Sequence, residues 1–429
     1  MLITSFTMAS RTGGVLYVRD LALRLLRIGH LPLVYSPNLG PVADELRRAT
    51  IPVIDDLSTL AAPPDVVHGN HTLETIVALL QFPEVPAVFV CHGWSSWATA
   101  APRLDRVLRY VAVDDTCRDQ LHCIDGIPAD RIEVVLNWVD LDRFQPRGPL
   151  PGQPERALVF SNQAREDGSH LPIIREACQR LGLRLDVVGH GVSASVARPE
   201  EMLRKYDLVF AKAKCALEAL AVGCAVVVCD DRGLGPMVTS QDLNRLRRLN
   251  FGARSLQGRI EPDAVMAEIK RYDPLDAAAV SSRLRAEAGL DEAVDRLVEL
   301  YREVIDEQAA GRSDPVANGR TVARYLRQLN ARLIEHDGVA EWNRVLRADK
   351  ERLVDERDQL QLEVAALRSR LHAHGPLQAE AEALRRSLDA LSATSTFRLR
   401  ALVLQHPVGG PLARAANRFR RRVLRQPPA

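Results

Sequence analysis

The chain has 429 residues, 46% of them apolar and 26% charged, with a formal charge of +2. That length is long for one core and implies two or three domains, while the composition is that of a soluble globular protein. No run reaches the roughly 18 apolar residues that span a bilayer.

The opening stretch "MLITSF" is too short for a secretory leader and has no basic flank. Cys91, Cys117, Cys123, Cys178, Cys215, Cys224 and Cys229 show no CxxC pair and no disulfide spacing. Reduced thiols in a cytoplasm are therefore expected. Only five basic residues are Lys, at 205, 212, 214, 270 and 350, so each is informative. From 392 to the end there are eight Arg and no acid. The rest of the chain is net acidic, and a basic tail on such a body points to an anionic partner.

The first 150 residues alternate strand and helix signals. "MLITSF", "HLPLVYSP", "IPVID", "PDVVHGNH", "VPAVFVCHGW", "RYVAVDD" and "RIEVVLN" read as strands. "VLYVRDLALRLLRIG", "VADELRRAT" and "TLETIVALLQF" read as helices between them. Short apolar strands alternating with amphipathic helices predict a parallel sheet covered on both faces. "QPRGPLPGQPER" is rich in Pro and Gly and reads as a linker, after which the alternation restarts at "RALVFSN" and runs through "CAVVVCD". Two doubly wound α/β domains facing a cleft are expected, with ligands at the carboxyl ends of the strands.

Beyond about 340 the pattern changes. Leu346, Leu353, Leu360 and Leu367 recur every seven residues, joined by Val364 and Leu371. Gly375-Pro376 breaks the run, and Leu377, Leu384, Leu388 and Leu391 resume it. A coiled coil is expected, although Asn343, Lys350 and Arg357 fall at the other core position. A long amphipathic helix packed on its own domain is the alternative. The expected layout is a first domain over 1–148, a linker over 149–156 and a second domain over 157–310. A helical connector over 311–339, a coiled coil over 340–391 and a basic amphipathic tail over 392–429 follow.

Residues 1 to 308 resemble the glycosyltransferase 4-like group of GT-B glycosyltransferases. The resemblance rests on "TGG" after the first strand, the Gly29-His30 pair, "PDVVHGNH", "PAVFVCHG", "RYVAVDD", "GIPADRIEVVLNWVDLDRF", "LRLDVVGHG" and "ALEALAVGCAVVVCD". The sixth piece is similar to the family's Asn-Gly-Val-Asp-x-x-x-Phe run, with Trp138 in place of Gly. The last is similar to its Glu-Ala-Met-Ala-x-Gly-x-Pro-Val-Val segment. Two departures stand out. Phe210 occupies the position of the family's first Glu, and "SNQAREDGSH" replaces its Gly-Arg…Lys-Gly stretch.

The resemblance implies transfer of a sugar from a nucleotide-sugar donor, with retention, without metal and with no cofactor. Its acceptor would be lipid-linked or a polysaccharide, as in bacterial surface polysaccharide synthesis. A diphosphate leaving group can be stabilised by helix N-termini and a nearby cation. Lys212, Lys214 and Cys215, at a strand-to-helix turn, have the right construction. Glu218 near that helix start gains about 0.3–1 kcal/mol from the dipole alone. A carboxylate can also accept both hydroxyls of a ribose, the role that the resemblance implies. His92 follows an apolar strand and would face the cleft, either as a catalytic group or as a satisfied strand-end histidine. Gly13 and Gly14 permit close approach of a ligand on the acceptor side, or a plain tight turn. Gly189, His190, Gly233 and Gly235 are further donor-side candidates, with turns as the alternative.

His68 and His71 lack a third ligand, and no metal is expected. Arg interleaved with apolar residues in the tail suits an anionic membrane surface. Nucleic acid is not expected, because no recognition motif accompanies the tail. The chain is read as a cytoplasmic, membrane-peripheral transferase that self-associates through its coiled coil. The rival reading is a non-catalytic GT-B scaffold.

Overall fold

A computed structural model of the chain describes residues 1–93, 99–166, 168, 170–192, 194, 196–310, 314–373 and 383–390. The expected helix break at 375–376 and the basic tail over 392–429 lie outside these residues. Two compact units are present, 1–318 and 319–429.

The first unit contains two sheets. In chain order the first is built from β1 (Leu2–Thr4), α1 (Gly13–Arg27), β2 (Leu33–Tyr35), α2 (Pro41–Arg48), β3 (Val53–Ile54), β4 (Val67–Gly69), α3 (Thr72–Gln81), β5 (Ala87–Cys91), β6 (Val107–Ala112), α4 (Asp115–Asp119) and β7 (Ile132–Val134). Its strand order is β3-β2-β1-β4-β5-β6-β7, with every pairing parallel. β5, "AVFVC", is buried at every position, as a strand covered on both faces requires. Strand order reverses between β1 and β4, which opens a crevice at their carboxyl ends.

The second sheet comes from β8 (Arg156–Phe160), α5 (Leu171–Arg180), β9 (Arg184–Val188), α6 (Pro199–Leu203), β10 (Leu208–Ala211), α7 (Ala213–Val222), β11 (Ala225–Asp230), β12 (Gly233–Met237), α8 (Leu243–Arg248), α9 (Pro262–Ile269) and α10 (Pro274–Glu287). Its order is β12-β11-β10-β8-β9. β12 runs antiparallel to β11, an edge strand that the alternating pattern did not announce. Only Asp231 and Arg232 join the two strands, and a connection that short can form a hairpin but not a crossover. Helix α7 begins at Ala213 and ends on Gly223, whose φ of +97° is the left-handed cap that glycine adopts without strain.

Helix α11 (Leu290–Ala310) packs on α1 and β5 of the first sheet's side, although the sequence places it with 157–310. Its apolar face, Val294, Leu297, Leu300, Tyr301 and Val304, is buried, so burial of that stripe draws the chain back. Helix α12 (Pro315–Ala373) is one continuous helix of 59 residues. It merges the expected connector with the first part of the expected coiled coil. On it Leu346, Leu353, Leu360, Val364 and Leu367 are partly exposed. Residues 383–390 are again helical.

Candidate active site

The carboxyl edges of the two sheets in the first unit carry most of the chemistry. On the first edge, His92 follows β5, and Asn70 and His71 follow β4. His92 Nε2 lies 2.8 Å from Asn70 Oδ1. Asn70 Nδ2 donates to the Thr4 carbonyl at 2.7 Å, and its backbone N–H donates to Thr4 Oγ1 at 3.2 Å. His71 Nδ1 accepts the backbone N–H of Phe6 at 3.1 Å. Tyr17, from α1, meets the His92 ring edge-on with centroids 4.4 Å apart, and it also contacts the rings of Trp138 at 4.2 Å and His68 at 5.9 Å.

Burial lowers all three histidine pKa values, to about 3 for His92 and His68 and about 4 for His71. Each is therefore a neutral imidazole at physiological pH. His68 Nδ1 is held 2.6 Å from Tyr301 Oη on α11. His68 and His71 are thus each engaged inside the fold. Trp138, only 2% exposed, fills the crossover where the family pattern has Gly. Tyr17 Oη, His68 Nε2 and Trp138 Nε1 are buried without a partner among the described residues.

The second edge is charged. Glu218 is 3% exposed, and Lys214 Nζ stands 3.7 Å from its Oε1 and 3.2 Å from Asp20 Oδ2 on α1. Arg19 Nε donates to the other oxygen of Asp20 at 2.9 Å. Arg143 pairs with Glu200 at 2.9 Å. Burial pushes the Glu218 pKa up, and the nearby Lys214 and Arg143 offset it only in part. Burial pushes Asp20 up as well, but Lys214 and Arg19 prevail and hold it below the usual carboxylate value. Lys212 is ion-paired to Asp230, which is fully buried at the end of β11. Both lysines are therefore engaged with carboxylates, not solvated in a loop. Burial raises the thiol pKa of Cys215.

Two helix starts meet between these edges. A Cβ added to Gly13, the first residue of α1, would lie 4.0 Å from Lys214 Cβ in the first turn of α7. Neither Thr12 nor Lys212 caps its helix through a side chain. In α1 the first amide with a backbone acceptor behind it is Leu16, bonded to Thr12 O. In α7 the amides of Ala213 and Ala216 are taken by Phe251 O and Lys212 O. The intervening amides, of Lys214 and Cys215, have no protein acceptor among the described residues. Two sets of free N–H groups with aligned dipoles form a site suited to an anion. Asn162 of the β8 loop also reaches across, donating to Arg11 O at 3.4 Å.

The remaining candidates are placed as follows. A Cβ on Gly189 would fall 1.9 Å from Ser161 O, so close packing with the neighbouring loop explains this glycine. His190 opens a short 3-10 turn after β9. Gly233 and Gly235 lie in β12, where a Cβ would meet Leu256 O at 2.9 Å and Ser255 O at 2.6 Å. Packing of the chain on itself accounts for them. Phe210 is buried in the core on β10, so no carboxylate reaches the cleft from the position of the family's first Glu. Sequence reasoning missed Asp20, Arg143, Asn70 and Tyr17. Asn70 was visible in "HGNH" as a polar residue at a strand end, while the other three gave no signal beyond their type.

Residues 11–143 match the sequence pattern of Glycosyltransferase Family 4. No curated protein sequence matches the chain. Among solved structures, HepE from Anabaena in complex with UDP superposes with a TM-score of 0.51 at 14% identity, covering 70% of this chain and 98% of that one. HepE in complex with UDP-glucose gives 0.50 at 15% identity, covering 71% and 100%. A glycosyltransferase from Rickettsia africae ESF-5 gives 0.49 at 16% identity, covering 71% and 98%. The likeness to HepE extends to the fold, two Rossmann-like domains in the GT-B arrangement.

Proposed function

From a chain that carries a Glycosyltransferase Family 4 domain on a GT-B fold, we propose an enzyme that moves a sugar from a nucleotide-sugar donor to an acceptor hydroxyl. The observation that carries this reading is the meeting of the free N-termini of α1 and α7 beside Glu218. The donor diphosphate sits between those helix starts, where open amides and Lys214 stabilise the charge that grows as the sugar leaves. Lys214 exchanges part of its pairing with Asp20 and Glu218 for the phosphate oxygens. Glu218 accepts the ribose hydroxyls. His92, neutral and at the facing edge, accepts a hydroxyl of the transferred sugar.

The HepE structures hold UDP and UDP-glucose, which makes a uridine donor the first to try here. The acceptor is lipid-linked or a glycan, the reaction retains configuration without metal, and the product belongs to a bacterial surface polysaccharide. The long helix from Pro315 pairs with a second copy, and the basic tail attaches the enzyme to an anionic membrane surface. Binding is tested by a thermal-shift panel of nucleoside diphosphates and nucleotide sugars, since a ligand specific for the folded state raises its stability with concentration. At least one should raise the Tm in a concentration-dependent way. No shift with any of them at millimolar concentration would favour the scaffold reading, which draws support from Phe210 buried in place of the family's first Glu.

A further inference from the structure

The hydrogen bonds around Asn70 determine which nitrogen of His92 is available to a ligand. Asn70 is 1% exposed, and its side-chain amide has two distinct ends. One end lies 2.7 Å from the Thr4 carbonyl oxygen. A carbonyl oxygen only accepts, so that end must be the NH2 group, and Oδ1 must be the end that faces His92 Nε2 at 2.8 Å. Oδ1 in turn only accepts. The His92 proton therefore resides on Nε2, and Nδ1 carries the lone pair. The backbone N–H of Asn70, donating to Thr4 Oγ1, anchors the residue to β1, and the side-chain bond to the Thr4 carbonyl opposes a flip of the amide, which would set Oδ1 against that oxygen. Tyr17 supplies the second constraint, its ring standing at 75° to the imidazole with centroids 4.4 Å apart. The groups that face His92 are His71 and His68 from the β4 edge and Tyr17 from α1. All are neutral near pH 7, because burial lowers the two histidines and raises the tyrosine.

We propose that Asn70 is a positioning residue that locks His92 as the Nε2–H tautomer and presents Nδ1 to the cleft as a fixed hydrogen-bond acceptor for a sugar hydroxyl. This rests on the reading of His92 as a sugar contact, and it adds that His92 accepts and does not donate. The arrangement resembles the way a second group fixes the tautomer of a metal-ligating or catalytic histidine, with a neutral amide in place of a carboxylate. A neutral partner matters here. It orients the ring without drawing a second proton onto it.

The test is made on the full-length chain without any nucleotide, so it is independent of whether the donor assignment is right. Histidines are labelled with 15N, and the His92 resonances are identified by their absence in His92→Gln. Wild type should show a protonated Nε2 and an unprotonated Nδ1, unchanged from pH 5 to 8. A protonated Nδ1, or titration near pH 6.5, would overturn the proposal. In Asn70→Ala the Nε2–H proton should exchange with solvent at least tenfold faster, and equal protection would overturn it. If Asn70→Ala does not fold, Asn70→Asp replaces it. There a carboxylate at the same distance should raise the His92 pKa by about 1–3 units, and no rise would mean that position 70 does not control the ring. Tyr17→Phe keeps the ring contact and should leave the tautomer as in wild type.

Discussion

The two walls of the cleft handle buried polarity in opposite ways. The wall at the carboxyl edge of β4 and β5 is neutral: burial holds His68, His71 and His92 as uncharged imidazoles. The wall around the start of α7 is charged but already compensated, with Lys214 between Glu218 and Asp20 of the neighbouring α1, and Lys212 against Asp230. A ligand meeting the first wall needs only to form a hydrogen bond. One meeting the second must displace part of an existing ion pair. Removing the cation of the charged wall should therefore disturb stability and binding together, whereas losing the imidazole of the neutral wall should disturb chemistry more than nucleotide binding.

The sharpest way to break the contrast is Lys214→Ala. It leaves Asp20 and Glu218 buried without the cation between them, and removing one partner of a buried pair costs about 3 kcal/mol. Urea denaturation should show a loss of that size, and a loss well under 1 kcal/mol would mean that the second wall is not held by this lysine.

Glu218→Gln should separate the two properties of the same residue. Burial places the folded-state pKa of Glu218 above its unfolded value, so its ionisation makes the fold less stable as pH rises from about 4.3 toward the folded pKa. The Gln variant should lose that downward slope and be no less stable than wild type at pH 7. A clear loss of stability at pH 7 would show that the carboxylate is needed by the fold. Asp20 has the opposite sign. Its lowered pKa contributes stability that is complete above about pH 4 and lost as pH falls.

On the neutral wall, His92→Ala should leave nucleotide affinity nearly unchanged, cost about 1–3 kcal/mol of stability by leaving the buried Asn70 Oδ1 unpaired, and reduce turnover about tenfold, roughly the worth of one hydrogen bond to the sugar. Steady-state rates beside a binding isotherm separate the two. The smallest effect is expected at the rim, where Arg248 makes a two-pronged contact across the cleft to Asp115 at 2.7 and 2.6 Å. The arginine is half exposed, so Arg248→Ala should cost only about 0.5 kcal/mol, and less in high salt.

Much of this contrast was legible along the chain. Alternating apolar strands and amphipathic helices gave two sheets, and "AKAKCALEAL" placed Lys212, Lys214 and Glu218 at one helix start, because residues four apart share a helix face. What the sequence hid lies between distant segments. Asp20 reaches Lys214 across 194 residues, and His68 reaches Tyr301 across 233. No local period encodes such pairs. The return of α11 to the first domain was hidden for the same reason, since an amphipathic helix announces that it has an apolar face but not which surface covers it. β12 was missed because its Gly233, Gly235 and Pro236 read as turn residues. Those glycines serve close packing against Ser255 and Leu256.

The central claim is that Glu218 and Lys214 read different parts of one nucleotide. It is tested most directly by calorimetric titration of UDP and uridine monophosphate into wild type, Glu218→Ala and Lys214→Ala. Glu218→Ala should weaken both ligands by about ten- to a hundredfold, because both carry the ribose and a charge-assisted hydrogen bond is worth about 1.5–3 kcal/mol. Lys214→Ala should weaken UDP far more than the monophosphate. Equal affinity of wild type and Glu218→Ala for UDP would contradict the account.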